Sequence, residues 1–381
     1  MRMSTDIYLT CGLVRCTQEI QAIRDIAFPT SVHRFPETYR HAHMGLVAPV
    51  QRLIDDLIKE AIQTLTFESQ SLASRQALLL AAGNTLYAGT QIQKTQAGGS
   101  LDFAMRSRLL QTTQMQAGKV AQILNATGHI GTDSSACASS MKSLMDAVAL
   151  IRLHDFQSVA IVAAEDQVSL GILEFFGGMG ICLSQHDLDQ GKHPSAFDRN
   201  NHGFLIGQGA AFAMLESADS MRINHRRPLA RLLSAVTTGE SFLNPVGQDP
   251  QGSGYIRAIE WALRQAKIKP KQIDLVKTHG TGTPLNNRSE ANALRSIFGD
   301  QFLATAYKPR IGHTFGVSGL LESLLAIQDA HNGLVRGIAK RTEQDDVFLS
   351  QDRALRPKNI LSLSAGMGNV YGAAIWEVLY P

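Results

Sequence analysis

The sequence predicts an α/β protein built from stacked layers of helices and parallel sheets. Short β-branched or apolar runs, bounded by Gly, Pro, Asn or Asp, alternate with longer stretches whose apolar residues recur three and four positions apart. The length of 381 residues corresponds to roughly two and a half domains of about 150 residues. With 44% hydrophobic and 18% charged residues, the chain has the composition of a folded protein with a large core.

The pattern places six strands and four helices along the chain. The strands are predicted at Ile7–Leu13, Ala77–Ala82, Val159–Ala164, Gly209–Leu215, Asp274–Lys277 and Ala373–Leu379. The helices are predicted at Val50–Thr64, Met141–Leu153, Tyr255–Ala266 and Leu320–His331.

A polar, basic stretch at Met221–Pro228 is a candidate hinge near the middle of the chain. We expect two halves, residues 1–225 and residues 226–381. A Ser- or Gly-rich turn opens a long amphipathic helix after residues 133–137 and again after residues 312–316, which indicates a weak internal repeat.

Composition excludes several classes of function. The 36 basic and 33 acidic side chains leave a net charge of +3, which is too small for a general nucleic-acid binder. The four cysteines form no CxxC pair, so we expect neither a zinc site nor a disulfide framework. The apolar run at Ile7–Leu13 is too short for a signal peptide, and no apolar run reaches 18 residues, so we expect a cytoplasmic protein without a membrane span.

Cys137 is the candidate nucleophile. It follows the small residues of Gly131-Thr-Asp-Ser-Ser-Ala and precedes the helix that is predicted from Met141. A thiol at a helix amino terminus faces unpaired amide hydrogens and the positive end of the helix dipole, both of which favour the thiolate. Backbone amides there can also form an oxyanion hole. The alternative is a buried cysteine that packs as a small hydrophobe.

Two histidines lie on turns that contain glycine. His279 ends a predicted strand and enters Gly280-Thr-Gly-Thr-Pro284, and His313 precedes the helix predicted from Leu320. Because ligands gather at the carboxyl edge of parallel sheets, imidazoles held there can donate hydrogen bonds or carry protons. Either histidine alone would more often be structural.

Three motifs together resemble a known family. Ser-Ala-Cys-Ala-Ser-Ser at residues 135–140, His-Gly-Thr-Gly-Thr-Pro-Leu at residues 279–285 and Lys-Pro-Arg-Ile-Gly-His-Thr at residues 308–314 resemble the signature blocks of elongating β-ketoacyl-acyl-carrier-protein synthases. Their order and their separations are also similar to those of that family. The resemblance covers nearly the whole chain.

The resemblance implies a fold and a set of roles. The fold would be thiolase-type, with two similar α/β halves stacked in five layers, and the protein would be a dimer. Cys137 matches the acyl-accepting nucleophile, while His279 and His313 match the imidazoles that bind and decarboxylate the malonyl group. Lys308 and Glu322 match the lysine and the carboxylate that support them. Because Glu322 is set among leucines on its helix, it needs a partner, for which Lys308 is the candidate.

The family's acyl pocket and gate are also expected here. The amides of Cys137 and Ala365 would form the oxyanion hole, and Ala365, Gly366, Met367, Thr281 and Thr283 would line the acyl tunnel. Ala365 stands where the family has a gating phenylalanine, which suggests a pocket for an unusual acyl chain. Three further positions replace charged family residues with Asn287, Gln208 and Asn201.

The implied function is decarboxylative Claisen condensation with malonyl-acyl carrier protein, in a specialised fatty-acid or polyketide pathway such as a polyene pathway. The partners would be acyl carrier protein and a second subunit, identical or related, and no cofactor would be needed because the acyl group arrives on the carrier's phosphopantetheine arm. Two alternatives stay open: a partner subunit resembling a chain-length factor, and a cysteine acyltransferase or hydrolase of another fold.

Overall fold

Ten strands form the central sheet of the computed structural model, which describes residues 6–16, 76–82, 112–165, 176–183, 185–199, 203–207, 209–241, 244, 246–343 and 347–381. The strands are β1 (Ile7–Cys16), β2 (Gln76–Ala81), β3 (Ile130–Asp133), β4 (Ser158–Glu165), β5 (Gly209–Ser217), β6 (Ala230–Gly239), β7 (Leu275–Lys277), β8 (Ala304–Thr305), β11 (Asn359–Gly366) and β12 (Val370–Val378). A separate two-stranded sheet consists of β9 (Leu334–Val335) and β10 (Arg353–Ala354).

The sheet contains the same five-stranded unit twice. The strand order is β3-β2-β4-β5-β1 in the first unit and continues as β6-β12-β11-β7-β8 in the second. Counted along the chain, the second strand of each unit pairs in parallel with the third and the fourth. The fifth strand pairs antiparallel with the fourth and with the first. The two units meet through β1 and β6, which pair at Tyr8 with Arg231 and at Leu9 with Ala230.

Eight helices of the described chain flank these strands. They are α1 (Thr113–Ile123), α2 (Ser139–Leu153), α3 (Gln185–Asp189), α4 (Ala218–Ile223), α5 (Ser253–Ala266), α6 (Pro284–Phe298), α7 (Lys308–Ile311) and α8 (Ser318–His331). Helices α2 and α8 each follow the third strand of their unit and contact one another, which confirms the predicted repeat.

Side-chain alternation along the strands defines five layers. In β4, Val159 and Ile161 belong to the central core beside α2 and α8, whereas Ala160 and Val162 belong to the outer core beside α1. In the second unit, α5 and α6 cover the outer face, because their buried residues cluster with alternate residues of β11 and β12. The predicted five-layer α/β fold is confirmed.

The predicted elements agree with the structure where it describes them. Each of the six predicted strands overlaps a strand, and three of the four helices begin two residues earlier than predicted, at Ser139, Ser253 and Ser318. The helix predicted at Val50–Thr64 lies outside the described residues, as do Asn201 and Gln208. The boundary between residues 225 and 226 stays a prediction. No described helix is long and apolar enough to cross a membrane.

Candidate active site

Cys137 lies in a tight turn between β3 and α2. Ala136 has a φ of 47°, a left-handed conformation that non-glycine residues seldom adopt. Ser139 stabilises this turn, because its hydroxyl accepts the Ser135 N–H at 2.8 Å and donates to the Ala136 carbonyl at 2.6 Å. The thiol therefore sits on a strained turn at the amino end of a buried helix, with 7% of the residue exposed.

The end of β11 packs directly against this turn. The Ser364 hydroxyl donates to the Cys137 carbonyl at 2.9 Å. A Cβ atom at Gly366 would lie 2.7 Å from the Ser135 carbonyl oxygen and 3.2 Å from the Cys137 amide nitrogen. Only glycine permits so close an approach of the two backbones.

The protonation of Cys137 differs from the sequence-based expectation. Burial, followed by the charge of Glu165, raises the pKa of the thiol to about 12, and Lys308 opposes this rise. Desolvation thus outweighs the helix amino terminus, which was expected to favour the thiolate. Near neutral pH, Cys137 is therefore a thiol, and any attack by its sulfur requires loss of the proton.

His279 follows β7 and is fixed through its backbone and its ring. The carboxylate of Glu290 accepts the N–H groups of His279 and Gly280 at 2.6 and 2.9 Å. Lys308 Nζ donates to the His279 carbonyl at 2.6 Å and lies 3.4 Å from His279 Nδ1. Because a lysine ammonium only donates, Nδ1 is the acceptor and Nε2 carries the proton.

His313 has the same tautomer for a different reason. Its Nδ1 accepts the Phe315 N–H at 3.2 Å and lies 3.1 Å from the Ser318 hydroxyl. An amide N–H only donates, so the proton of the neutral ring is on Nε2. The His279 and His313 ring centroids are 5.5 Å apart. The structure thus brings two imidazoles together, each with an N–H available on Nε2.

A buried ionic cluster lies beneath the imidazoles. Lys308 Nζ lies 2.8 Å from Glu322 Oε1, which confirms the predicted partner of Glu322. The second oxygen of Glu322 lies 3.2 Å from Lys277 Nζ, which also donates to the Leu363 carbonyl at 2.6 Å. Burial lowers the pKa of Lys277 to about 8, and the attraction of Glu322 opposes this shift.

The environment keeps both imidazoles neutral. Burial and then the charge of Lys308 hold the pKa of His279 and of His313 well below their usual value. A neutral imidazole donates through Nε2 without itself carrying a charge, so a negative oxygen between the two rings would attract both N–H groups.

An apolar cluster connects Cys137 to His313. Phe204 and Phe315 contact the His313 ring at centroid distances of 4.9 and 4.7 Å, the latter in a stacked arrangement. Both phenylalanines belong to the same cluster as Cys137. The other buried members are Phe176, Cys182 and Ile206, and Met179, Ile181 and Met367 pack against them.

The residues expected to line the acyl tunnel lie in different parts of the structure. Met367 packs against the cluster that contains Cys137. The Ala365 methyl group instead belongs to the outer core of the second unit, together with Tyr371. Thr281 and Thr283 lie in the turn after His279, where their hydroxyl oxygens are 3.0 Å apart. Met367, rather than Ala365, thus has its side chain at the cluster.

Sequence reasoning missed three buried charges at this site. Lys277 pairs with Glu322, Glu290 holds the His279 turn, and Glu165 accepts the Gly316 N–H at 2.6 Å. Two of them end apolar strands, where a charge needs a partner, and that signal could have identified them. Asn287, also buried, has no hydrogen-bond partner for its side chain among the described residues. Across that same part of the chain, no group of three or more His, Cys, Asp or Glu side chains could hold a metal ion.

The chain is similar to known ketoacyl synthases in both sequence and structure. It is 26% identical over 222 residues to 3-oxoacyl-[acyl-carrier-protein] synthase 2 of Staphylococcus aureus, covering 57% of this chain and 54% of that protein. The Mycobacterium leprae (strain TN) protein of the same name is 29% identical over 204 residues, covering 53% and 48%. The matched stretches thus span about half the length of these relatives.

Solved structures share the fold over nearly all of the chain. A type II PKS acyl-carrier protein in complex with its ketosynthase bound to the hexaketide provides a match with a TM-score of 0.83 and 16% identity, covering 98% of this chain and 99% of that one. A β-ketoacyl synthase from Burkholderia phymatum STM815 and the ishigamide ketosynthase/chain length factor each give a TM-score of 0.80 and 19% identity, with both chains fully covered.

Family profiles account for most of the sequence. The profile described as "Beta-ketoacyl synthase, N-terminal domain" matches residues 24–220, and "Beta-ketoacyl synthase, C-terminal domain" matches residues 229–340. These matches confirm the resemblance that the three motifs indicated. The chain belongs to the β-ketoacyl synthase family.

Proposed function

We propose that the protein condenses an acyl group held on Cys137 with malonyl-acyl carrier protein, releasing carbon dioxide and forming a β-ketoacyl-acyl carrier protein. The observation that carries this proposal is the pair of neutral imidazoles, His279 and His313, whose Nδ1 atoms both receive a donor. Such a pair can hold the oxygen of a malonyl thioester at the moment when that oxygen becomes negative.

In the first step, the Cys137 sulfur attacks the carbonyl carbon of the acyl thioester. The new C–S bond forms as the bond to the pantetheine sulfur breaks, and the thiol proton leaves with the pantetheine thiol. The amides of Cys137 and Ala365 would stabilise the tetrahedral oxyanion, a proposal supported by the close approach of β11 to the Cys137 turn.

In the second step, the bond between the malonyl carboxylate and the α-carbon breaks, and carbon dioxide leaves. The electron pair moves onto the thioester oxygen, where the Nε2–H groups of His279 and His313 stabilise the enolate. The enolate carbon then attacks the acyl carbonyl, a C–C bond forms as the bond to the Cys137 sulfur breaks, and the sulfur takes up a proton from water. Lys308 would fix His279 and Glu322 would hold Lys308, and neither residue contributes an atom to the products.

The acyl substrate is proposed to belong to a specialised fatty-acid or polyketide pathway. The cluster of Phe176, Phe204 and Phe315 beside Cys137 supports an apolar chain. The similarity to polyketide ketosynthases is consistent with this class of pathway. No further cofactor enters the proposed steps, because the carrier's phosphopantetheine arm delivers both acyl groups.

The proposed partners are an acyl carrier protein and a second subunit, either identical or related. Structural neighbours are described as a carrier protein in complex with its ketosynthase and as a ketosynthase/chain length factor. In addition, β3 is the terminal strand of its unit, so one of its edges has no strand partner among the described residues. Size-exclusion chromatography with light scattering will distinguish a dimer from a monomer.

The decisive experiment is intact-mass spectrometry with acyl-carrier protein, followed by malonyl-carrier protein. We expect the mass of one acyl group on the wild-type chain and none on Cys137→Ala, because Cys137 is the proposed acyl acceptor. Malonyl-carrier protein should then discharge the acyl group as an extended β-ketoacyl product.

The other outcomes separate the alternatives. Discharge to water or to another acceptor, without carbon–carbon bond formation, would indicate a cysteine acyltransferase or hydrolase. Absence of acylation, in a protein that is folded by circular dichroism, would contradict the proposal and favour a partner subunit that resembles a chain-length factor.

A further inference from the structure

Glu165 is a buried carboxylate at the carboxyl end of β4. Only 1% of the residue is exposed, and the seven residues that precede it in the strand are small or apolar and are also buried. A carboxylate in such a place is costly unless hydrogen bonds compensate for the lost water. One of its oxygens accepts the Gly316 N–H at 2.6 Å. This contact joins the first five-stranded unit to a turn of the second.

That turn fixes the tautomer of the His313 ring. Gly316 lies in the 3₁₀ turn Phe315–Val317, and Phe315 has a φ of 47°, which a non-glycine residue keeps only when its surroundings hold it. The Phe315 N–H donates to His313 Nδ1 at 3.2 Å, and the two rings stack 4.7 Å apart. The amide that fixes the tautomer of His313 is therefore adjacent to the amide that Glu165 holds.

We propose that Glu165 is a positioning residue that fixes the Phe315–Gly316 turn, thereby orients His313, and places a negative charge near Cys137. This inference rests on the proposed condensation and adds a positioning residue to it. Loss of the Gly316 contact would free the turn, and the Nε2–H of His313 would no longer be aimed at the malonyl oxygen.

Glu165 holds the amide next to Phe315, which belongs to the apolar cluster of Cys137, so the carboxylate lies close to the thiol. Burial has the largest effect on the thiol pKa, and among the charged groups Glu165 has the largest, ahead of Lys308, which lowers the pKa, and Glu322, which raises it. The carboxylate thus adds to burial in keeping the sulfur protonated. Because thiolates, not thiols, react with oxidants and alkylating agents, this protection preserves the free enzyme.

Two substitutions separate the hydrogen bond from the charge. Glu165→Gln keeps an oxygen that accepts the Gly316 N–H but removes the charge, whereas Glu165→Ala removes both. Glu216→Gln is the matched control, because Glu216 is a fully buried carboxylate on the adjacent strand β5. It pairs with Arg226 and lies at the opposite end of the two strands from Glu165.

The charge is tested by alkylation of Cys137 with iodoacetamide, followed by mass spectrometry at several pH values. We expect Glu165→Gln to react roughly fivefold to tenfold faster than the wild type at a given pH, because its thiol pKa is lower. Glu216→Gln should react at the wild-type rate. Equal rates for wild type and Glu165→Gln would overturn the proposed charge effect. The assay needs no acyl substrate, so it is independent of the proposed function.

The positioning role is tested with ¹⁵N-histidine-labelled protein, in which the two ring nitrogens of each tautomer have distinct NMR shifts. His313→Asn identifies the signals of His313. We expect the Nε2–H tautomer to persist in Glu165→Gln and to give way to a mixture in Glu165→Ala. Decarboxylation of malonyl-carrier protein should then fall about tenfold or more in Glu165→Ala and little in Glu165→Gln. An unchanged His313 spectrum in Glu165→Ala would refute this role.

Discussion

In the proposed reaction, attack by Cys137 depends on which group accepts the thiol proton. With the pKa of the thiol raised to about 12, the thiolate is scarce in the free protein at neutral pH. The neighbouring imidazoles are neutral, because burial and Lys308 hold the pKa of each well below its usual value. The acylation step is therefore expected to use a thiol that is deprotonated during the attack, and not a preformed thiolate.

The raised thiol pKa predicts the pH dependence of alkylation. Because the folded pKa lies above that of an ordinary cysteine, the thiolate fraction of Cys137 should increase about tenfold per pH unit from about pH 7 to pH 11. Iodoacetamide alkylation, quantified by peptide mass mapping, measures this dependence. A free cysteine in a short peptide is the control and should level off above about pH 9. A plateau near pH 8 for Cys137 would contradict the predicted protonation.

Lys277 illustrates the cost of the ionic cluster. Lys277→Met leaves Glu322 with Lys308 as its remaining lysine partner and leaves the Leu363 carbonyl without the Lys277 donor. We expect the free energy of unfolding to fall by about 3 kcal/mol, because removing one partner of a buried ion pair is strongly destabilising even though Lys308 stays beside Glu322. Urea denaturation measures the change, and Lys271→Met, at an exposed lysine, should have an effect within about 0.5 kcal/mol of zero. Equal effects of the two substitutions would refute the stabilising role of Lys277.

The site residues that stand in motifs could be predicted from the sequence. The buried charged residues that hold them in place could not. Cys137, His279 and His313 stand in motifs with recognisable neighbours, so their convergence was expected. Glu165 and Lys277 each end a strand that was predicted, but which distant group neutralises such a charge depends on tertiary contacts. The thiol pKa was likewise beyond sequence reasoning, because the helix terminus is local whereas desolvation depends on the whole surrounding core.

At the scale of elements, the pairing of α2 and α8 depends on one glycine. A Cβ atom at Gly319 would lie 2.7 Å from Met141 Cγ and 3.0 Å from the Ser140 hydroxyl. That hydroxyl also accepts the Leu320 N–H at 3.0 Å and donates to the Val317 carbonyl at 3.3 Å, so it connects the two helices at their amino ends.

The same substitution should have opposite effects on two helices. Gly319→Ala should lower the free energy of unfolding by about 1–2 kcal/mol, because the added methyl group pushes α8 away from α2. Gly118→Ala on α1 meets no atom within 4 Å and should raise it by about 0.5–1 kcal/mol through helix propensity. Urea denaturation of both variants tests this contrast, and a stabilising effect at position 319 would show that the helices are not in close contact.

The turn between β11 and β12 is where the acyl selectivity is expected to be set. Met367→Ala removes a side chain that packs on the cluster of Cys137, so bulkier acyl chains should compete better for the enzyme. Ala365→Phe, by contrast, enlarges a residue in the outer core and should destabilise the protein by about 1–3 kcal/mol. Competition between acyl-carrier proteins measures selectivity, with Met115→Ala, at an exposed methionine, as the control. Selectivity that narrows in Ala365→Phe and is unchanged in Met367→Ala would restore Ala365 as the gate.

Continuous apolar runs were predictable, whereas several other elements were missed, among them the ten-residue strand β6 and the 15-residue helix α6. The strands at Val159–Ala164 and Gly209–Leu215 are continuous apolar runs, and the structure confirms both. The two-residue strand β8 and the four-residue strand β3 are too short to show a period, although each precedes a central helix. The pairing order also escaped prediction, because the sequence contains no local signal for which strands become neighbours.

The described ten-stranded sheet repeats one five-stranded unit, and the candidate active site takes residues from both copies. Cys137 precedes α2, the central helix of the first unit. In the second unit, His279 follows β7 and His313 precedes the central helix α8. The central core is also shared, since it contains residues of β1 and β4 together with residues of β11 and β12. Neither unit can bury its inner face without the other, so the two should be stable only together.

This shared core predicts that the two units unfold in a single transition. Both tryptophans, Trp261 and Trp376, belong to the second unit, and Trp376 is fully buried in the shared core, so tryptophan fluorescence reports the second unit. Pulsed alkylation of Cys137, located by peptide mass mapping, reports the first. We expect the two signals to have the same urea midpoint in the full chain, as a two-state transition requires. Midpoints that differ beyond experimental error would show that the halves fold independently, with a boundary between β5 and β6, and would contradict the role of the shared core in holding Cys137 beside the imidazoles.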